Sequence, residues 1–95
     1  MLSSNYNDQV LYLEGDLQVH HLEGIKGELV TWAADPNPLT LDLSQVAEVD
    51  IAGLQMVLSF LRSRKSQSKV IGVGPELTKA LQITGLAPHF AQFLN

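Results

Sequence analysis

The sequence predicts an α/β fold, a mainly parallel sheet with helices packed on it, and three observations carry that expectation. Stretches with the periodicity of strands alternate along the chain with stretches of helical periodicity. The segments between successive strands are long enough to hold a helix and too long for hairpins, which implies right-handed crossovers and parallel pairing. Leu39-Thr40-Leu41-Asp42-Leu43-Ser44 alternates apolar and polar residues strictly, the pattern of a strand with two different faces.

Taken in order, Ser3 to Gln9 is polar and holds a turn and a weak edge strand, while Val10 to Gly15 is an apolar run with a Tyr, stopped by glycine, which reads as a strand. Leu22, Ile25, Leu29 and Ala33 then recur at spacings of three and four, a helix that must end before Asp35-Pro36-Asn37-Pro38. Gly24 and Gly27 inside it cost about 1 kcal/mol each relative to Ala, so they imply either a close packing contact or fraying. After the strand at 39–44 and a short connection, Leu54, Val57, Leu58 and Leu61 place a second helix from Ile51 to Lys65. Lys69 to Gly74 is a third strand. Pro75 suits the first turn of a third helix, Leu77, Ala80, Leu81 and Thr84 continue its inner face, and Gly85 fits the left-handed position past its end. Pro88 to Leu94 forms a last short helix.

Ninety-five residues make a single domain, 1–95, able to bury roughly 60–65% of its unfolded surface. With 45% hydrophobic and 17% charged residues the chain is not a disordered tail. It has no cysteine, which excludes disulfides, thiolate nucleophiles and cysteine metal sites. The absence of an apolar run near the ~20 residues of a membrane span, and a start lacking the features of a secretion signal, point to a cytoplasmic protein without direct membrane insertion. A formal charge of −4 disfavours nucleic acid and anionic lipid as partners. The charge is segregated: nine of the ten acids lie at or before Asp50, whereas Arg62, Arg64, Lys65 and Lys69 supply four of the six bases, in keeping with cations at a helix C-terminus.

Few constellations suit catalysis. His20 and His21 are adjacent, so on a helix they diverge by about 100°, and neither they nor His89 have a third ligand at metal-site spacing. The serines lack a strand, nucleophile elbow and helix around them. Gly72-Val73-Gly74 lies between a strand and a helix, but Leu77 stands where a dinucleotide fingerprint needs glycine, so it reads as a tight turn. Asp42 and Asp50 have no converging polar partners for acid–base work. Met56 and Phe60 fall opposite the Leu54-Val57-Leu58-Leu61 stripe; they pack against a neighbouring helix or, with Ile51, form an exposed partner patch. Trp32 reads as core or helix–helix packing.

The junction Val46-Ala47-Glu48-Val49-Asp50-Ile51-Ala52-Gly53-Leu54 resembles the signature of the STAS domain family, in which a strand leads through a short connection to an Asp-Ser-Ser/Thr-Gly-Leu motif opening the second helix. Val10 to Leu17, with Gly15-Asp16-Leu17 as a Gly-x-Leu turn, is similar to the family's first strand, and Leu81-Gln82-Ile83-Thr84-Gly85-Leu86 to the end of its third helix. The resemblance implies a bacterial signal-transduction or transcription-regulation module that binds protein, with no enzyme activity and no cofactor. The implied partners are an anti-sigma factor or kinase-like regulator, a chemotaxis or two-component protein, or the ATPase of a lipid-transport complex. It implies contact through Asp50, Ile51, Ala52, Gly53, Met56 and Asp16. In anti-sigma factor antagonists the residue before the glycine is a phosphorylated Ser or Thr; Ala52 stands there, preceded by Ile51, so that switch is absent. On the residues themselves, Asp50 suits a helix cap and Gly53 a close approach of another backbone or a partner atom. The rival readings are a small-ligand or nucleotide-binding protein using the helix N-termini near Gly53 and Gly74 and, by the same resemblance, the small subunit of a lipid-transport ATPase complex.

Overall fold

The computed structural model describes residues 2–64 and 66–94. Strand β1 (Leu2–Asn7) and strand β2 (Val10–Leu17) form an antiparallel hairpin; a 3-10 segment (Val19–Gly24) leads to α1 (Lys26–Ala33), and then come β3 (Leu39–Val49), α2 (Ile51–Ser63), β4 (Ser68–Ile71), α3 (Pro75–Thr84) and α4 (Ala87–Phe90). The sheet runs β1-β2-β3-β4, with β2–β3 and β3–β4 parallel, so the class is α/β as expected. Every buried strand residue, among them Leu11, Leu13, Leu41, Leu43 and Val70, lies on one face of the sheet, and the helices close over it with Leu29, Leu54, Leu61, Leu77, Leu81 and Phe90. The opposite face carries Thr40, Asp42 and Ser44 and none of the core, which is why β3 alternates instead of running continuously apolar as parallel strands covered on both sides do.

Several elements differ from the sequence reading for identifiable reasons. The β1–β2 connection is a true hairpin, turned by Asp8 and Gln9 at φ 52° and 67°, so two non-glycine residues occupy the left-handed region that a two-residue hairpin turn requires. Strand β3 does not stop at Ser44; it continues to Val49, taking one extra residue against β2 at each of two register shifts, and these shifts destroy the apolar alternation beyond Leu43. The first predicted helix is split, a 3-10 segment ending at Gly24 and α1 beginning at Lys26. Neither Gly24 nor Gly27 has anything within 4 Å of where a Cβ would sit, so no close packing contact explains them. Strand β4 ends at Ile71, short of Gly74. Helix α2 ends at Ser63, and Lys65 lies outside the described residues. The final predicted helix is α4 followed by a 3-10 turn (Ala91–Phe93), after which Leu94 bridges to Val70 of β4.

Helix α3 follows its punctuation. Pro75 opens it, Gly85 sits at φ 77°, and the Leu86 amide donates back to the Leu81 carbonyl at 3.0 Å. Arg64, only 7% exposed, ties three segments together: its Nε donates to Ser68 Oγ at 2.8 Å, and its two Nη groups donate to the carbonyls of Trp32 and Asn37. Burial pushes its guanidinium below the usual arginine range, opposed chiefly by the Asp35 carboxylate. Trp32 itself stacks on Tyr6 of β1, ring centroids 4.2 Å apart, which fixes α1 over the hairpin.

Candidate functional site

The start of α2 is built against the end of β2. Asp50 is extended (φ −126°, ψ 174°), and its amide donates to the Leu17 carbonyl at 3.1 Å. Its carboxylate accepts the Gly53 amide at 2.8 Å, and its carbonyl accepts the Leu54 amide at 3.1 Å. This is an N-cap that also anchors the helix to the sheet. Gly53 is buried; a Cβ there would overlap the Leu17 carbonyl oxygen, come within 2.6 Å of its carbonyl carbon and stand 3.0 Å from Leu17 Cγ. The close approach that Gly53 permits is therefore made by this chain's own backbone, in helix-to-sheet packing.

With the cap and Gly53 turned inward, the same helical turn presents Ile51 outward at 50% exposure, with Ala52 half-buried beside it. Met56 and Phe60 do not extend this as an open patch. Phe60 is buried and Met56 is partly buried against the core, both beside Leu29 and Ala33 of α1, so the helix-packing alternative holds for this pair. At the same end of the sheet, Asp16 lies 4.0 Å from His21 Nε2, and Gln18 Nε2 donates to Glu48 at 3.2 Å, tying the ends of β2 and β3 together. Asp16, Glu48 and Asp50 give this end an acidic character.

The other candidates resolve into local structure. Asp42 accepts its own Ser44 amide at 2.7 Å, and Asp50 is the cap. Gly72 sits at φ 74°, where a Cβ would fall 2.6 Å from Asp42 Oδ1 and 2.7 Å from the Ser44 amide, so the glycine lets the β4–α3 turn pass close to β3. Among the described residues the cleft between that turn and the end of β3 carries Glu48 and Glu76 and no Lys or Arg, an unfavourable lining for phosphate. The rings of His20 and His21 lie 4.1 Å apart, inclined at 45° to one another, and among the described residues no three His, Cys, Asp or Glu side chains could hold a metal ion. Among the described residues no helix is long and apolar enough to cross a membrane.

A one-sided four-stranded sheet with a capped, sheet-anchored second helix defines a small α/β module, and the comparisons assign it. Residues 1–95 match the family model described as Mlab, STAS domain, and the chain belongs to this STAS family. Among solved structures, that of the Bacillus cell fate determinant SpoIIAA in the phosphorylated form matches over 100% of this chain and 89% of that one, with a TM-score of 0.64 at 17% identity, a likeness of fold. No curated protein sequence matches the chain.

Proposed function

We propose that this chain is a non-enzymatic regulatory module of the cytoplasm that docks on a protein partner through the first turn of α2. The observation that carries this reading is the turn itself: Asp50 and Gly53 are locked to Leu17, and the rigid turn they create leaves Ile51 half-exposed with Ala52 beside it. A preorganised apolar contact in an acidic surround suits a partner with an apolar pocket rimmed by cations. Met56, packed beside α1, lies outside this contact, and Asp16 belongs to the acidic surround. A kinase-like anti-sigma factor, a chemotaxis or two-component protein, and a lipid-transport ATPase are the partner classes in view.

SpoIIAA was solved in a phosphorylated form. In this chain Ala52 takes the acceptor position, and residues 50–53 offer no hydroxyl, so docking here is not switched off by phosphate at that turn. The test is affinity capture from the native host with wild type and Ala52→Glu in parallel, followed by titration of the captured partner. A carboxylate near a helix N-terminus gains about 0.3–1 kcal/mol from the dipole, so the variant stays folded. Burying it unpaired at the interface costs several kcal/mol, and each ~1.4 kcal/mol is tenfold in affinity. Binding within about threefold of wild type sinks the proposal, and an unfolded variant would move Ala52 into the core.

A further inference from the structure

The sheet has two edges and the fold treats them differently. Leu94 bridges to Val70 and covers the outer side of β4, whereas β1 is the terminal strand on the other side with no described element paired to it. Natural edge strands are guarded by charges, prolines or bulges. Leu2-Ser3-Ser4-Asn5-Tyr6-Asn7 has none of these: it is uncharged, lacks proline, and pairs one-to-one with β2 from Leu2↔Gly15 to Asn7↔Val10 without a shift.

The turn fixes which backbone groups face outward. A two-residue turn closes with the Asn7 carbonyl accepting from the Val10 amide, so Asn7–Val10 is a hydrogen-bonded pair, and alternation makes Asn5–Tyr12 and Ser3–Glu14 the next ones. The amides and carbonyls of Leu2, Ser4 and Tyr6 therefore point away from the sheet. We propose that these groups pair with those of a second copy of this chain, β1 antiparallel to β1 about a two-fold axis at Ser4. That register sets Ser4 opposite Ser4 and Leu2 opposite Tyr6 of the other copy. Every outward group of both strands is then satisfied, which no shifted antiparallel register achieves, and the symmetry closes the assembly as a dimer. Tyr6, 39% exposed and held by Trp32, lies beside Leu2 of the other copy on the core side of the joined sheet.

A strand of this length spans about 20 Å, well short of the area behind the ~800 Å² per partner of a standard interface, so the dimer is weak. One like-charge approach weakens it further. Glu28 accepts the Ser4 hydroxyl at 3.0 Å and so meets its counterpart near the axis. Added salt and Glu28→Gln therefore both strengthen association.

The register makes the test specific. On the exposed sheet face Ser3 lies opposite Asn5 of the other copy, so the double variant Ser3→Lys, Asn5→Lys brings like charges together twice, whereas Ser3→Lys, Asn5→Glu brings opposite charges together twice. Sedimentation velocity from about 20 µM to about 2 mM, spanning the affinity range of weak complexes, reads the outcome. Wild type shifts from monomer toward dimer with concentration, the Lys/Lys variant associates about fivefold more weakly or worse, and the Lys/Glu variant associates at least as well as wild type. Both substitutions lie on exposed positions, and thermal melts establish that each variant is folded. Wild type that stays monomeric throughout, as when the edge serves an extended segment of another protein, overturns the proposal, and so do two variants that behave alike.

Discussion

Substituting alanine for Gly53 sets two physical effects against each other, and the geometry decides between them. Helix propensity favours Ala over Gly by about 1 kcal/mol. Against this, the new Cβ meets backbone rather than a flexible side-chain end: it overlaps the Leu17 carbonyl and reaches 2.6 Å from its carbon. Overpacking of this kind costs about 1–3 kcal/mol, and backing α2 off the sheet also stretches the Asp50 amide to Leu17 carbonyl bond, about 1 kcal/mol more. The expected net effect is a destabilisation of about 1–3 kcal/mol, a fall in Tm of several degrees at about 4–8 °C per kcal/mol for a domain of this size. Gly27→Ala is the internal control. It lies in a helix with open space at its Cβ position, so it should stabilise by about 0.5–1 kcal/mol. Urea denaturation of both variants gives the two free energies. A Gly53→Ala protein as stable as wild type would refute the claim that the Leu17 contact fixes the start of α2.

Gly72→Ala combines a left-handed φ of 74° with overlap onto Asp42 and Ser44, and should cost about 2 kcal/mol or more by thermal melt. Gln9→Gly relieves a positive φ of 67° in the hairpin turn and should raise stability by about 0.5–1 kcal/mol in the same assay. Arg64→Met strips the donors from two carbonyls and from Ser68, so it should destabilise by about 3 kcal/mol, with Arg64→Lys intermediate because one ammonium cannot span the three acceptors; calorimetric unfolding reads both. Asp50→Ala loses the α2 cap and should cost about 1 kcal/mol, most of it recovered by Asp50→Asn, as measured by denaturant midpoints.

Much of this architecture is legible in the sequence, and the exceptions share a cause. Strand β3 can be read as far as Leu43 because one face is core and the other is solvent; beyond it the register shifts against β2 scramble the alternation, so residues that look like a connection are strand. The Asp8-Gln9 turn carries no glycine, so the hairpin signal is missing although the geometry is present. The Leu22-Ile25 spacing suits a 3-10 turn as well as an α-helix, which hides the break between them. At the site, Asp50 is recognisable as a cap from its position alone. That Gly53 implies a close neighbour is equally legible, but the neighbour, the Leu17 carbonyl, is far away in sequence and only the parallel pairing of β2 with β3 brings it there.

The placement of β3 also has a kinetic meaning. The hairpin of β1 and β2 closes through two residues and can form within microseconds, but it contributes no parallel pair. Both parallel pairings run through β3, and each must first close a long crossover before any ladder bond repays the lost chain entropy. Commitment to the native topology therefore falls on the docking of one strand. Substitutions that truncate Leu41, which pairs in both ladders, should slow refolding about as much as they destabilise.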